Sequence, residues 1–176
     1  MDSLIFDFIA AIWILLPAYA ANIFPPLANG KIPIDGGRRV NKWRILGDGK
    51  TWEGFLFGMF VGVLVGLAEA YLSGPISTAY NIPLPRITIL TAFLIPLGAL
   101  LGDMAGSFIK RRFRMDRGGD APFLDQLDFL MGALFLSHWF IEMNSMTVII
   151  MFIITPILHR ISNIIGYWLK LKREPW

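Results

Sequence analysis

The chain contains no cysteine, and only 16% of its 176 residues are charged. The first absence excludes disulfides and thiolate metal sites. The second is unusual, because about a quarter of the residues in a soluble domain are normally charged. With 55% hydrophobic residues and a mean hydropathy of +0.58, the chain has more apolar surface than a core of this size can bury. Composition therefore predicts a membrane protein whose apolar surface is partly covered by lipid.

Basic residues are missing from most of the sequence. Apart from Arg86 and Arg160, the 16 Lys and Arg residues all fall in three polar segments, 23–53, 107–122 and 170–176. None lies in the first seven residues, so no removable signal peptide is expected. The net charge of +3 is carried beside apolar runs, which favours anionic lipid headgroups and not nucleic acid as the partner. No internal repeat is apparent, and residues 1–176 are interpreted as one domain.

Five apolar windows are long enough to cross a bilayer, which takes about 20 residues in a helix. They are residues 4–22, 54–72, 87–106, 123–142 and 146–169. Helices are expected because lipid cannot satisfy unpaired backbone groups. The positive-inside rule places segments 23–53 and 107–122 in the cytoplasm, with the N-terminus outside and the C-terminus inside. The expected fold is all-α, a multi-pass protein of the cell membrane with five transmembrane helices and a charged cytoplasmic face.

Three carboxylates lie near the cytoplasmic edge of these windows. Asp103 is close to the end of the third window, and Asp125 and Asp128 are close to the start of the fourth. An ionised carboxylate at such a depth is unfavourable unless it is paired or hydrated, so it usually marks a functional site. Together with the basic residues of 107–122, the three carboxylates suit a hard divalent cation and a polyphosphate. Alternatively, Asp125 and Asp128 only favour the start of a helix and pair with Arg111 or Arg112.

Two further features leave alternatives open. Residues 47–51 read Gly-Asp-Gly-Lys-Thr, but Arg44 stands where a Walker phosphate loop needs glycine. A glycine-rich turn before a helix can still offer N–H groups to a phosphate, or Lys50 can simply anchor the membrane edge. Arg160 lies deep in the fifth window and needs either a carboxylate or a lipid phosphate. Its neighbour His159 is interpreted as an interhelical hydrogen-bonding residue, because no second histidine lies at a metal-ligand spacing.

Two stretches together resemble a known family. The first runs Pro33-Ile-Asp35-Gly-Gly … Arg44-Ile-Leu-Gly47-Asp48-Gly49-Lys50-Thr51-Trp52-Glu-Gly54-Phe. The second runs Gly102-Asp103-x-x-x-Ser107-Phe-x-Lys110-Arg111-Arg112 … Gly118-x-x-x-Pro122-x-Leu-Asp125-Gln126-Leu-Asp128-Phe. They resemble the CDP-archaeol synthases, archaeal CTP-dependent cytidylyltransferases that are distant relatives of CDP-diacylglycerol synthases. The chain lacks the His-Gly-Gly segment of those relatives and has Gln126 where they have arginine, which favours the archaeal branch.

The resemblance implies transfer of CMP from CTP to an unsaturated archaetidic acid, 2,3-bis-O-geranylgeranylglycerol 1-phosphate, giving CDP-archaeol and pyrophosphate. The expected partners are CTP, this polyprenyl-ether lipid and the bilayer, and the expected cofactor is Mg²⁺; the oligomeric state stays open. The residues assigned to catalysis are Asp103, Lys110, Arg111, Arg112, Asp125 and Asp128, with the three aspartates as metal ligands. The residues assigned to substrate binding are Asn22, Asn29, Asp35, Lys50, Thr51 and Ser107.

Two other functions compete with this interpretation. A CDP-alcohol phosphotransferase also carries intramembrane aspartates, but its Asp-Gly-x-x-Ala-Arg … Gly-x-x-x-Asp-x-x-x-Asp pattern is absent. A small transporter could use the same buried charges as a pathway, although transporters often show repeated halves. Only a cytidylyltransferase releases pyrophosphate from CTP when it is given a lipid phosphate.

Overall fold

A computed structural model describes residues 2–115, 121 and 123–168. The described part is built from five helices: α1 (Asp2–Ile23), α2 (Trp52–Tyr80), α3 (Ile89–Arg112), α4 (Leu124–Ser137) and α5 (Ser145–Trp168). A 3-10 turn at Pro25–Ala28 follows α1. Strands β1 (Arg39–Val40) and β2 (Trp43–Arg44) form a small antiparallel hairpin between α1 and α2. The predicted all-helical architecture is confirmed, and the hairpin is an addition that the sequence did not indicate.

Four helices are long and apolar enough to cross a membrane within the part of the chain that the structure describes. They are α1 with the turn that follows it, α2, α3 and α5. The prediction of a membrane protein is therefore confirmed. Helix α2 has 29 residues, which corresponds to about 43 Å, so it extends well beyond the predicted window 54–72. It ends at Asn81, whose left-handed backbone closes the last turn by donating its N–H to the carbonyl oxygen of Ser77.

The fourth predicted helix, 123–142, is shorter than expected. Helix α4 has 14 residues and a length of about 21 Å, against about 30 Å for the hydrocarbon core of a bilayer. Beyond Ser137 the chain turns, and the N–H of Phe140 bonds to the carbonyl oxygen of Ser137 at 2.9 Å. The boundary prediction was wrong because Trp139, Phe140 and Ile141 are apolar enough to continue a span, whereas residues 138–140 form a turn.

Close helix contacts are made through glycine. In α2, Gly58, Gly62 and Gly66 face α1 and α3, and a Cβ added at Gly62 would lie 2.5 Å from the Cβ of Pro96. Small residues at this spacing let two helix backbones approach closely, as the four-residue glycine repeat of α2 indicates. Between α3 and α4, the backbones of Gly98 and Gly132 meet in the same way. These contacts fix the positions of the helix ends that carry the charged residues.

Substitution of Gly132 by alanine is expected to destabilise the α3–α4 contact. The new Cβ would lie 2.1 Å from the carbonyl oxygen of Gly98 and 2.8 Å from the Cα of Gly102, both of which are backbone atoms. Overpacking of this kind costs about 1–3 kcal/mol, so the thermal midpoint in detergent should fall. The matched control is Gly74→Ala in α2, where the added Cβ meets nothing within 4 Å. Equal midpoints for the two variants would contradict the close α3–α4 packing.

Candidate active site

A cavity of about 560 Å³ lies at one end of the bundle. The C-terminal parts of α1, α3 and α5 meet the N-terminal ends of α2 and α4 there, together with the segment that precedes α2. The residues predicted from sequence that line it are Asn22, Asn29, Lys50, Thr51, Asp103, Ser107, Lys110 and Asp125. Residues from four helices, α1, α3, α4 and α5, and from the segment that precedes α2 thus form one polar site although they are far apart in sequence.

The segment that carries Lys50 and Thr51 is held by local hydrogen bonds. The Lys50 carbonyl oxygen accepts from the N–H of Ile34 at 2.9 Å, and the Trp52 N–H donates to the carbonyl oxygen of Ile32 at 2.9 Å. The Thr51 hydroxyl caps α2 by accepting from the N–H of Gly54 at 3.2 Å. An N-cap bond of this type stabilises a helix by about 1 kcal/mol. Thr51 therefore has a structural role as well as a position on the cavity wall.

Two ion pairs cross the cavity wall. Lys50 of the segment before α2 pairs with Asp103 of α3, and Lys110 of α3 pairs with Asp125 of α4 at 2.5 Å. The side chains are 17% to 25% exposed, so both pairs are partly shielded from water. Asp125 therefore pairs with Lys110 and not with Arg111 or Arg112, the partners considered from sequence. Each pair places an ammonium group and a carboxylate where a bound phosphate and its cation can take them as new partners.

Asp128 lies one turn further into α4 and does not line the cavity. Its side chain occupies the space left by the missing side chain of Gly106, and its Oδ1 accepts from the N–H of Phe129 at 2.6 Å. The charges that act on it are those of Asp103, Lys50 and Asp125. Asp128 is thus part of the same charge cluster but lies behind the cavity wall.

Arg111 and Arg112, which were assigned to phosphate binding from the sequence, are not among the residues that line the cavity. Arg111 donates to the carbonyl oxygen of Met115 and packs against Gly47. Arg112 donates to the carbonyl oxygen of Arg44 at 2.8 Å and lies over the ring of Phe108. Both guanidinium groups connect the end of α3 to backbone carbonyl groups.

Asp35 also lies outside the cavity, at the centre of the loop between α1 and α2. Its buried carboxylate accepts from the Arg44 guanidinium at 2.6 Å and from the N–H groups of Gly37, Leu46 and Gly47 at 3.0–3.2 Å. Burial raises the pKa of Asp35, but the Arg44 guanidinium and the backbone N–H groups lower it by more, so this pKa lies well below its usual range. The carboxylate therefore stabilises the loop at neutral pH, and that contribution is lost progressively as the pH falls below the ordinary aspartate pKa toward the lowered one.

Substitution of Asp35 by asparagine is expected to loosen this loop. The change removes the charge from a buried hydrogen-bonded pair, and breaking such a pair usually costs several kcal/mol. Arg38, Arg39 and Lys42 are exposed on the hairpin and provide trypsin sites. Limited trypsin digestion should therefore cut the Asp35→Asn variant at least about tenfold faster in this loop. The control is Asp48→Asn, which removes the exposed partner of the same arginine and should have little effect. Unchanged cleavage of the Asp35 variant would exclude the stabilising role.

The contribution of α5 to the cavity was only partly predictable from the sequence. His159, Arg160 and Asn163 line the wall, together with Gln126 of α4. His159 stacks on Phe129 with ring centroids 6.2 Å apart, and its Nδ1 lies 3.3 Å from Nδ2 of Asn163. The available signal is three polar residues at positions i, i+1 and i+4 in an otherwise apolar helix, a spacing that places them toward one side.

The donor set around the cavity fits Mg²⁺ in one specific mode. The cavity wall provides the carboxylates of Asp103 and Asp125, hard oxygen donors of the type that Mg²⁺ prefers. No group of three or more His, Asp or Glu side chains in the described residues is arranged to hold an ion. Mg²⁺ commonly binds through one or two carboxylates and completes its coordination with substrate phosphates and water. The site fits this mode and not a cage of three aspartates.

Comparison with known proteins gives a consistent family assignment. The profile of the family described as CarS-like, CDP-archaeol synthase, matches residues 1–176. A CDP-archaeol synthase of Methanoregula boonei is 46% identical over 169 residues, covering 92% of this chain and 100% of the relative. One of Thermococcus gammatolerans is 45% identical over 174 residues, covering 94% and 95%. A solved structure of an intramembrane enzyme for archaeal membrane lipids biosynthesis superposes with a TM-score of 0.75 at 40% identity, covering 88% of this chain and 92% of that one. The chain therefore belongs to the CDP-archaeol synthase family and is a cytidylyltransferase.

Proposed function

We propose that this enzyme transfers CMP from CTP to 2,3-bis-O-geranylgeranylglycerol 1-phosphate, giving CDP-archaeol and pyrophosphate. The observation that carries the proposal is the cavity at the end of an apolar helix bundle that the Lys50–Asp103 and Lys110–Asp125 pairs both line. Such a site offers cations to phosphates and carboxylates to Mg²⁺, while lipid chains can remain in the bilayer. The family assignment supplies the nucleotide and the class of acceptor.

We propose further that the chain crosses the membrane five times, with the N-terminus outside and the C-terminus in the cytoplasm. Helix α4 begins at the cavity, whereas α3 and α5 end there. Helix α4 therefore runs opposite to both neighbours, as a fourth crossing requires, although it has only 14 residues. Segment 23–53 and the last turn of α3 both carry basic residues at this end. The positive-inside rule then assigns the cavity to the cytoplasmic side, where CTP is available.

The reaction needs little general-base assistance. The second pKa of a phosphomonoester is about 6, so the lipid phosphate is largely a dianion at neutral pH. One of its oxygen atoms attacks the α-phosphorus of CTP, the bond from that phosphorus to the bridging oxygen breaks, and pyrophosphate leaves with the electron pair. The main barriers are the repulsion between two anions and their alignment, so catalysis depends on positioning and charge neutralisation.

The cavity residues suit these two tasks. Lys50 and Lys110 are placed to exchange their carboxylate partners for phosphate oxygens. Asp103 and Asp125 would then hold Mg²⁺, with Asp128 adding negative charge behind them. The bound cation would neutralise charge on the triphosphate. Asn22, Asn29 and Ser107 line the same wall and can orient substrate groups by hydrogen bonding.

The direct test is pyrophosphate release from purified protein in detergent, supplied with CTP, Mg²⁺ and the geranylgeranyl-ether glycerol phosphate. Release is expected only when all three are present, with one CDP-lipid formed per pyrophosphate. A CDP-alcohol phosphotransferase would instead release CMP from a CDP-lipid. No pyrophosphate from a sample that is folded and binds CTP would refute the proposed reaction.

A further inference from the structure

Helix α5 has an apolar face that leads to the cavity. Ile149, Ile153, Ile157, Ile161 and Ile165, the isoleucine stripe, recur every fourth residue and are each 47% to 59% exposed. Residues at this spacing form a continuous row along a helix. The row from Ile149 to Ile165 covers about 24 Å at a rise of 1.5 Å per residue. It is long enough to accompany an extended hydrocarbon chain through one leaflet, about half of the ~30 Å hydrocarbon core.

Arg160 is the charged residue on this face. It follows Ile153 by seven residues, which is close to two helical turns, so the two lie on the same side of α5. Arg160 also lines the cavity. Among the described residues no carboxylate pairs with it, whereas Lys50 and Lys110 each have an aspartate partner. It lies about 12 Å before the end of α5 at Trp168, a depth at which an arginine requires a partner.

We infer that Arg160 binds the phosphomonoester of the lipid acceptor and that the isoleucine stripe holds one of its polyprenyl chains. The inference rests on the proposed function, and it assigns the α5 side of the cavity as the side from which the lipid acceptor enters. A phosphomonoester suits Arg160 because the planar guanidinium can bond two phosphate oxygens at once. Exposed apolar residues on α2, such as Leu56, Phe60 and Leu64, contact bulk lipid equally well, but α2 carries no basic residue. A helix face can hold the lipid chain and its phosphate together only if it also carries a basic residue that lines the cavity.

The assignment also gives the three basic residues of the site different substrates. Lys50 and Lys110 come from the segment before α2 and from α3, and Arg160 comes from α5. If Arg160 takes the lipid phosphate, the two lysines are left for the triphosphate. Loss of Arg160 should then weaken acceptor binding and leave nucleotide binding almost unchanged.

The first experiment separates the two substrates kinetically in the Arg160→Ala variant. The KM for the lipid, expressed as mole fraction in mixed micelles at saturating CTP, should rise about 10- to 100-fold, the effect of losing a hydrogen bond to a charged group. The KM for CTP at saturating lipid should change less than about twofold. Arg86→Ala is the control, because this exposed arginine precedes α3 at the opposite end of the bundle. The KM of Arg160→Lys for the lipid should lie between that of wild type and that of Arg160→Ala. If the alanine variant does not fold, the lysine variant tests the role of Arg160.

The second experiment tests the isoleucine stripe. Ile149→Ser should raise the KM for the geranylgeranyl lipid by about fivefold or more, because each buried methylene group contributes about 0.8 kcal/mol. Ile149 precedes Arg160 by 11 residues, or about 16 Å, so the same variant should not affect a glycerol phosphate with short ether chains that end before Ile149. Leu64→Ser on α2 is the matched control, since Leu64 is 50% exposed and Ile149 51%.

The outcomes distinguish this inference from the function on which it rests. An active wild type whose lipid KM is unchanged in both Arg160 variants would overturn the inference and leave the reaction intact. A rise in the KM for CTP in place of that for lipid would also overturn it, by assigning Arg160 to the nucleotide. A folded wild type that releases no pyrophosphate would instead refute the proposed function itself.

Discussion

Replacement of Asp103 by asparagine is expected to lower kcat at least about 1000-fold while the protein remains folded, a loss of about 4 kcal/mol of transition-state stabilisation. Asp103 lies on the cavity wall and pairs with Lys50. Asparagine keeps the shape of the side chain but removes the charge that would hold Mg²⁺ and orient the lysine. The change therefore affects charge neutralisation at the phosphates, on which the proposed reaction mainly depends.

Single-turnover release of pyrophosphate is the appropriate measurement, because it reports the chemical step apart from lipid product release. Glu142→Gln is the matched control: it also neutralises an acidic residue, but an exposed one beyond the end of α4, in the turn before α5, and its kcat should stay near that of wild type. The thermal midpoint of Asp103→Asn should remain within a few degrees of wild type, because the pair it breaks is only partly buried. A kcat near that of wild type would remove Asp103 from the proposed catalytic set.

The helices were predictable because their signal is long and local. Apolar runs of about 20 residues and the glycine repeat of α2 indicate crossing and packing without any knowledge of neighbours. The end of α4 was not predictable in this way. Trp139, Phe140 and Ile141 are equally apolar in a helix and in a turn, and the turn is closed by a hydrogen bond from the Phe140 N–H to the Ser137 carbonyl oxygen that hydropathy does not report.

The site was predictable in its depth and charge but less so in its contacts. Asp103, Asp125 and Asp128 were expected at a similar depth, and the structure places Asp103 and Asp125 on one cavity wall, whereas Asp128 does not line the cavity. The directions of Arg111 and Arg112 depend on backbone carbonyl groups of Met115 and Arg44, which sequence patterns do not encode. For the same reason Asp35, interpreted as a substrate residue, is instead found bonded to its own loop.

The position of Asp128 leads to a prediction with two opposite effects. Its partly buried carboxylate lies near the carboxylates of Asp103 and Asp125. Among the described residues, Lys50 is the one positive charge that acts on it when no cation is bound. Like charges in a site of low polarity destabilise the folded state. Asp128→Asn should therefore raise the thermal midpoint of the metal-free protein, since the amide can still accept the Phe129 N–H through its oxygen. Turnover should nevertheless be abolished, because the negative charge that attracts the cation is reduced.

Thermal unfolding with and without Mg²⁺ and CTP separates these two effects. Wild type should gain stability when both are added, because they relieve the repulsion among the three aspartates as well as bind the folded state. Asp128→Asn should begin from a higher midpoint and gain much less. Asn144→Asp provides an opposite control, since it adds a carboxylate beside Asp7 at the other end of the bundle and should lower the midpoint without changing the Mg²⁺ response. A variant at Asp128 that is less stable than wild type and still active would mean that this carboxylate serves the packing of α4 against Gly106 and not the reaction.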